Sequence, residues 1–304
     1  MAKGPAITPH GAADGALLVG RARWLPLLLL PSAAVLVAWP LPAWVLMWAI
    51  ALAIFAGCKW LTWCDGREVV GGVAWRRSLA YLLLWPGMDA GAFLNARSRP
   101  EKPERRAWFF AGLKILFGGF LVWGVARLLP GALLQGWTGM VGLIILLHFG
   151  AFHLLALAWQ SAGIDARPIM RMPIAARSLG EFWGLRWNRG FNDLVRRNIF
   201  EPLRRPCGIA TATLLTFLAS GLVHEAAISL PARGGYGLPT LYFLLQGAGV
   251  LAERSAFGRA VGLQRGVRGR MFVLVVTAAP AGLLFPPIFV ERVMLPFLQV
   301  IHAL

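Results

Sequence analysis

Apolar runs of roughly twenty residues recur along this chain, and they constrain its fold more than any other feature. One of them reads "GLIILLHFGAFHLLALAW" over residues 142–159. At about 1.5 Å of rise per helical residue, such a run matches the ~30 Å hydrocarbon layer of a bilayer. Inside lipid every backbone N–H and C=O must be satisfied within the chain, which for a run of this length means a helix. Spans are expected at 24–39, 41–58, 107–128, 137–159, 207–230, 236–252 and 271–290. Composition agrees: 58% of the 304 residues are hydrophobic, 14% are charged, and the mean hydropathy is +0.65. The fold class expected is all-α, a polytopic transmembrane bundle of about seven to eight spans. No fixed-period repeat and no long linker divides residues 1–304, so a single domain is expected.

The net charge of +17 does not imply nucleic acid. Arg and Lys crowd into 1–23, 59–77, 95–106, 160–206 and 253–270, while the turns near 40, 129–136 and 231–235 are nearly free of them. That alternation is the positive-inside pattern of cytoplasmic loops. Lys114 and Arg127, within an expected span, must snorkel or face protein. Segment 78–94 is apolar but short and contains "WPGMDAG". Treated as a re-entrant or interfacial segment, it leaves every basic loop on one side and the C-terminus on the other. Arginine heavily outnumbers lysine, which points to a GC-rich bacterial source and so to a bacterial inner membrane. The first apolar run lacks the compact form of a signal peptide and is read as retained. Cys58, Cys64 and Cys207 are too few and scattered for a disulfide framework or thiolate zinc site.

Two stretches carry chemistry. Residues 182–201 follow Ser178 and Glu181, spaced as a capping box, and stop at Pro202. On a helical wheel Arg186, Arg189, Asp193, Arg196 and Arg197 share one arc, opposite Trp183, Trp187, Phe191, Leu194, Val195 and Ile199. The expectation is an interfacial amphipathic helix. Asn188 falls on its apolar arc, as does Asn198, and a buried amide needs partners. Asn188 either serves a site or ties this helix to a neighbouring loop.

His224 lies inside the expected span 207–230, where ionisable residues are functional candidates. Ala210, Thr213, Ser220, Gly221 and Ala227 share its face, which suits close helix packing or a narrow tunnel. The bland alternative is a packing histidine bonded to a carbonyl. His148 and His153, five residues apart, fall on different faces and read as core or tunnel residues rather than metal ligands. Asp89 reads as a local helix cap. No GxSxG, P-loop, HExxH or dinucleotide fingerprint is present. A transporter using His224 and Glu225 as a proton relay remains open, as does, more weakly, an intramembrane prenyltransferase built on "NRGFND".

"FWGLRWNRGFNDLVRRNIFEPL" followed by "FLASGLVHE" resembles the wax synthase branch of the membrane-bound O-acyltransferase (MBOAT) superfamily. The upstream "YLLLWPGMDAGAFL" is similar to the same family, and the resemblance covers roughly 78–260. It implies acyl transfer from acyl-CoA to the hydroxyl of a hydrophobic alcohol, inside a tunnel through the membrane. His224 then matches the family's catalytic histidine and Asn188 its functional asparagine. Arg186, Arg196 and Arg197 become candidates for binding the CoA phosphates, and Trp183, Trp187, Ser220 and Glu225 candidates for lining the substrate path. The partners implied are acyl-CoA as co-substrate, an alcohol acceptor and membrane lipids, with no metal or other cofactor and no nucleic acid. The branch includes enzymes for several kinds of hydroxylated molecule, so no particular alcohol follows.

Overall fold

The computed structural model describes residues 22–304, so the basic stretch 1–23 falls almost wholly outside the described residues. The described chain is helical. Helices α1 (Leu25–Ala38) and α2 (Ala43–Val70) form a hairpin, α3 (Trp75–Leu84) and α4 (Ala90–Leu94) a short broken pair, and α5 (Arg105–Leu128) and α6 (Ala132–Ser161) a second hairpin. Then come α7 (179–186), α8 (Arg189–Ala232), α9 (Leu238–Arg254), α10 (Ala256–Val261), α11 (Gly266–Leu284) and α12 (287–300). Among the described residues five helices, α2, α5, α6, α8 and α11, are long and apolar enough to cross a membrane. With 14 and 17 residues, α1 and α9 are shorter than expected spans. The protein is an integral membrane protein of helical, polytopic type.

Where lipid surrounds the helices, burial of apolar surface gives little drive for association, so close backbone approach does the packing. Gly118 and Gly142 supply it between α5 and α6: a methyl on Gly118 would stand 2.5 Å from the Leu146 nitrogen and 2.7 Å from the Gly142 oxygen. The small residues below His224 act likewise, since a methyl on Gly221 would meet the Thr240 Cα of α9 at 2.7 Å. At Gly221 the face packs a helix; it does not line a tunnel.

Several expected boundaries move. The expected span 41–58 continues as helix to Val70, so Lys59 belongs to α2 and not to a loop. Pro202 does not end its helix. A π turn over Arg196–Phe200 precedes it, and Pro202 sits at the start of the next segment, where its missing N–H costs nothing. The break falls instead at Gly208, just after Pro206, where φ of 79° is open to glycine. The last expected span stops at Leu284, and "PP" at 286–287 starts a new helix.

Segment 75–94 is a hairpin. Gly87 at its tip lies against Lys59, whereas Ala90 on the returning arm lies against Gly66, two turns nearer the end of α2. At the base, Arg77 donates from Nε to Phe93 O (2.7 Å) and from Nη2 to Asn95 O (3.1 Å). Both arms therefore open toward one end of α2, the geometry of a re-entrant segment. At the opposite end Arg233 reaches the Trp39 carbonyl (3.0 Å), which brings two of the cation-poor turns together. Arg127 faces protein there, donating to His302 O (2.8 Å).

Candidate functional site

The asparagine stretch folds differently from a continuous amphipathic helix. Ser178 caps α7, accepting from the Glu181 N–H at 3.0 Å, while Glu181 returns a carboxylate oxygen to the Arg177 N–H at 2.7 Å. The buried Glu253 of α9 adds a second cap, taking the Leu179 and Gly180 N–H groups at 2.6 and 2.9 Å. Thus α7 is anchored inward and not laid along an interface. After the π turn Phe182–Arg186, Trp187 is extended and Asn188 adopts the left-handed conformation (φ 40°, ψ 60°) before α8 begins. The helical wheel drawn through 182–201 fails at this break, and with it the placement of Asn188 on an apolar arc. Asn188 is a half-buried loop residue whose N–H faces Met170 Sδ at 3.3 Å. Its carboxamide makes no hydrogen bond among the described residues. Asn192, not Asn188, makes a side-chain tie, joining α8 to α7 by donating to Gly184 O at 2.7 Å, and Asn198 bonds within its own helix to Leu194 O.

Opposite this loop runs segment 167–174. Arg171 N–H donates to Arg186 O (2.8 Å) and Arg189 N–H to Ile169 O (3.1 Å), so backbone pairing fixes the two strands of chain on either side of Asn188. They border, with α5 and α6, a half-open chamber of about 790 Å3. That falls in the range of small-molecule sites, roughly 300–1,000 Å3. Its cationic walls come from Lys114, Arg167, Arg171 and Arg189, with His148, His153 and Trp187 beside them and no carboxylate among the described lining residues. His148 and His153 do not lie on different faces. The π turn Ile145–Ala151 between them absorbs one residue, so a five-residue separation acts like four and both side chains reach the chamber. Sequence reading missed this, because nothing in the apolar run marks the π turn.

His224 sits in α8, eight residues or about 12 Å from the helix end at Ala232. Its Nδ1 lies 2.8 Å from the Ser220 carbonyl, an atom that can only accept, so Nδ1 carries the proton. In the neutral ring Nε2 then holds the free lone pair. The imidazole rests against Phe243, ring centres 4.4 Å apart. Phe243 touches Trp183 (5.8 Å), which touches Phe182 (4.9 Å), then Trp187 (5.6 Å) and Phe149 (6.3 Å) in the chamber. A continuous aromatic wall therefore joins chamber and histidine.

The remaining expected site residues divide. Trp183 and Trp187 belong to that wall, but Trp183 is packed inside against Phe217 and Phe243, not at a headgroup boundary. Arg186 is tied up in a 2.6 Å ion pair with Glu181 and in bonds to the Arg171 and Met172 carbonyls. Arg196 pairs with Glu201 (3.3 Å), and neither it nor Arg197 lines the chamber. Ser220 offers its carbonyl to His224, while its hydroxyl bonds Thr216 O. Glu225 accepts the Thr240 N–H and hydroxyl, both at 3.0 Å, capping α9, and makes no hydrogen bond to His224 among the described residues. At α7, outside the spanning helices, burial pushes the Glu181 carboxyl up; the Arg177 N–H and Arg186 guanidinium outweigh this and hold it below the usual range.

A histidine fixed in one tautomer at membrane depth, linked by packed aromatic rings to a cationic chamber, is the candidate site of this integral membrane protein. Residues 166–245 match the membrane bound O-acyl transferase family. The chain is 30% identical over 215 residues to the probable long-chain-alcohol O-fatty-acyltransferase 9 of Arabidopsis thaliana, covering 66% of this chain and 63% of that one. It is 34% identical over 141 residues to the probable long-chain-alcohol O-fatty-acyltransferase 7 of the same plant (41% and 40%). Against the long-chain-alcohol O-fatty-acyltransferase of Simmondsia chinensis the figure is 30% over 142 residues (43% and 40%). The chain thus spans less than two thirds of the length of these relatives. Over these residues the chain is similar to the membrane bound O-acyl transferase family and to its long-chain-alcohol O-fatty-acyltransferases.

Proposed function

We propose that the protein moves an acyl group from acyl-CoA to the hydroxyl of a hydrophobic alcohol; the names of its relatives describe O-fatty-acyl transfer to long-chain alcohols for them, and acyl-CoA as the donor is part of the proposal. The observation that carries the reading is His224, whose Nδ1 is fixed on Ser220 O and whose Nε2 is left as a base. An alcohol is a weak nucleophile at neutral pH, and a base within hydrogen-bond reach lifts that limit. In this mechanism Nε2 takes the hydroxyl proton as the oxygen attacks the thioester carbonyl. The tetrahedral oxyanion collapses, the C–S bond breaks, and the proton held by His224 passes to the departing thiolate. Ester and free thiol are the products. The unpartnered carboxamide of Asn188 is suited to hydrogen-bond the oxyanion or the thioester oxygen.

In this reading the donor's phosphates lie among Arg167, Arg171, Arg189 and Lys114 in the chamber, in place of the Arg186, Arg196 and Arg197 expected from the helical wheel. The pantetheine arm then follows the aromatic wall so that the thioester carbonyl meets His224, with the acyl chain beyond it, and the alcohol enters from the lipid side. The finer location, a bacterial inner membrane, rests on the arginine bias of the chain. Purified protein given labelled acyl-CoA and a panel of alcohols should form labelled ester. His224→Ala should lose on the order of 10²–10⁴-fold in kcat while remaining folded in detergent. A folded His224→Ala protein that keeps its full rate sinks the mechanism.

A further inference from the structure

Lys59 is only 2% exposed, although it is the seventeenth residue of α2, about 24 Å along a spanning helix. Ionisable groups at such depth turn to carbonyls or to one another. Lys59 does the first: Nζ donates to Gly87 O at 2.8 Å and lies 3.1 Å from the centre of the Tyr81 ring. No carboxylate pairs with it among the described residues. The Tyr81 hydroxyl is itself bonded to Thr62 Oγ1 at 2.7 Å, and Thr62 donates back to the carbonyls of its own helix. The polar set closes on itself except for its grip on Gly87.

Gly87 lies in the non-helical tip 85–89 of the re-entrant hairpin, and that tip abuts the candidate site at two places. Its Met88 backbone packs on Gly190, two residues past Asn188, so closely that a methyl there would stand 2.9 Å from the Met88 nitrogen. Its Asp89 caps α4 through the Ala92 N–H (3.0 Å) and faces Arg167 of the chamber at 3.6 Å. We propose that Lys59 is a positioning residue: through Gly87 it holds the hairpin tip against Gly190 and Arg167, and so fixes the Asn188 loop and one cationic wall of the chamber. The proposal rests on reading that loop and chamber as the donor side of an acyltransferase.

Lys59→Met fills similar volume without a donor. Amide hydrogen exchange on the purified full-length protein should speed up in 85–91 and 186–193 and stay unchanged in 238–254. In the acyl-transfer assay kcat should fall on the order of 10–100-fold, as expected for misplaced catalytic groups, with the acceptor KM within about twofold. If Lys59→Met does not accumulate folded, Gly190→Ala presses on Met88 from the other side and should produce the same exchange pattern. Faster exchange throughout, including 238–254, marks a merely structural lysine and overturns the proposal. Faster exchange in 85–91 alone overturns it too, since the coupling to Asn188 is then absent. If the wild type acylates no alcohol, acyl transfer falls, while the exchange pattern still decides whether Lys59 holds the loop.

Discussion

Asn188 has two separable properties, a left-handed backbone and a free carboxamide, and two substitutions tell them apart. Asn188→Gly removes the amide but accepts φ of 40° and ψ of 60° without strain. Asn188→Ala removes the amide and keeps a Cβ in the left-handed region without the short polar side chain that lets asparagine adopt it, at a cost of up to roughly 1–2 kcal/mol. Because no protein group bonds the carboxamide among the described residues, neither change strands a buried partner. Any loss of rate in Asn188→Gly therefore belongs to chemistry or substrate binding. If the amide donates to the developing oxyanion, its loss costs about 10²–10³-fold in kcat, or about 2.7–4 kcal/mol. Initial rates with labelled acyl-CoA at saturating acceptor, paired with thermal melts in detergent, read both effects. Both variants should lose two to three orders of magnitude in rate, and Ala alone should lower the melting temperature by a few degrees. A Gly variant at the wild-type rate would refute the reasoning: asparagine would then be there for its backbone.

The chamber cations should matter more than the exposed arginine arc. Arg171 and Arg189 hold the loops through their backbone N–H groups, so Arg171→Gln with Arg189→Gln keeps those bonds and should raise the donor KM on the order of tenfold or more; Arg196→Gln with Arg197→Gln should leave it near wild type, and the reverse ranking would move the donor site. The Glu181 carboxyl, depressed in the fold, stabilises α7 above its unfolded pKa of about 4.3 and loses that contribution as pH falls through the lower folded value. Glu181→Gln should accordingly lower stability by on the order of 1 kcal/mol at neutral pH, with the gap to wild type closing below about pH 4 in melts across pH. A gap that does not vary with pH would assign the effect to packing.

Most of the architecture was legible because lipid imposes a length and a polarity that apolar runs report directly. The spans around 107–128 and 137–159, the grouping of cation-poor turns, and the re-entrant 78–94 segment with its Pro-Gly tip all follow from that constraint. His224 could be singled out because an ionisable residue in a span needs a reason. What the sequence did not disclose is where regular helix geometry is interrupted. The break at Trp187–Asn188 and the π turns at 145–151 and 196–200 each rotate everything beyond them, so a wheel drawn at 100° per residue gives the wrong neighbours. Arg196 and Arg197 shared an arc with Arg189 on paper, yet only Arg189 reaches the chamber. Lys59 looked like the first residue of a basic loop and is instead buried, because no local signal says that α2 runs on to Val70 beside a hairpin that caps it. Periodicity determines which residues enter the membrane. Which of them meet depends on a few backbone departures that tertiary packing stabilises and local sequence does not announce.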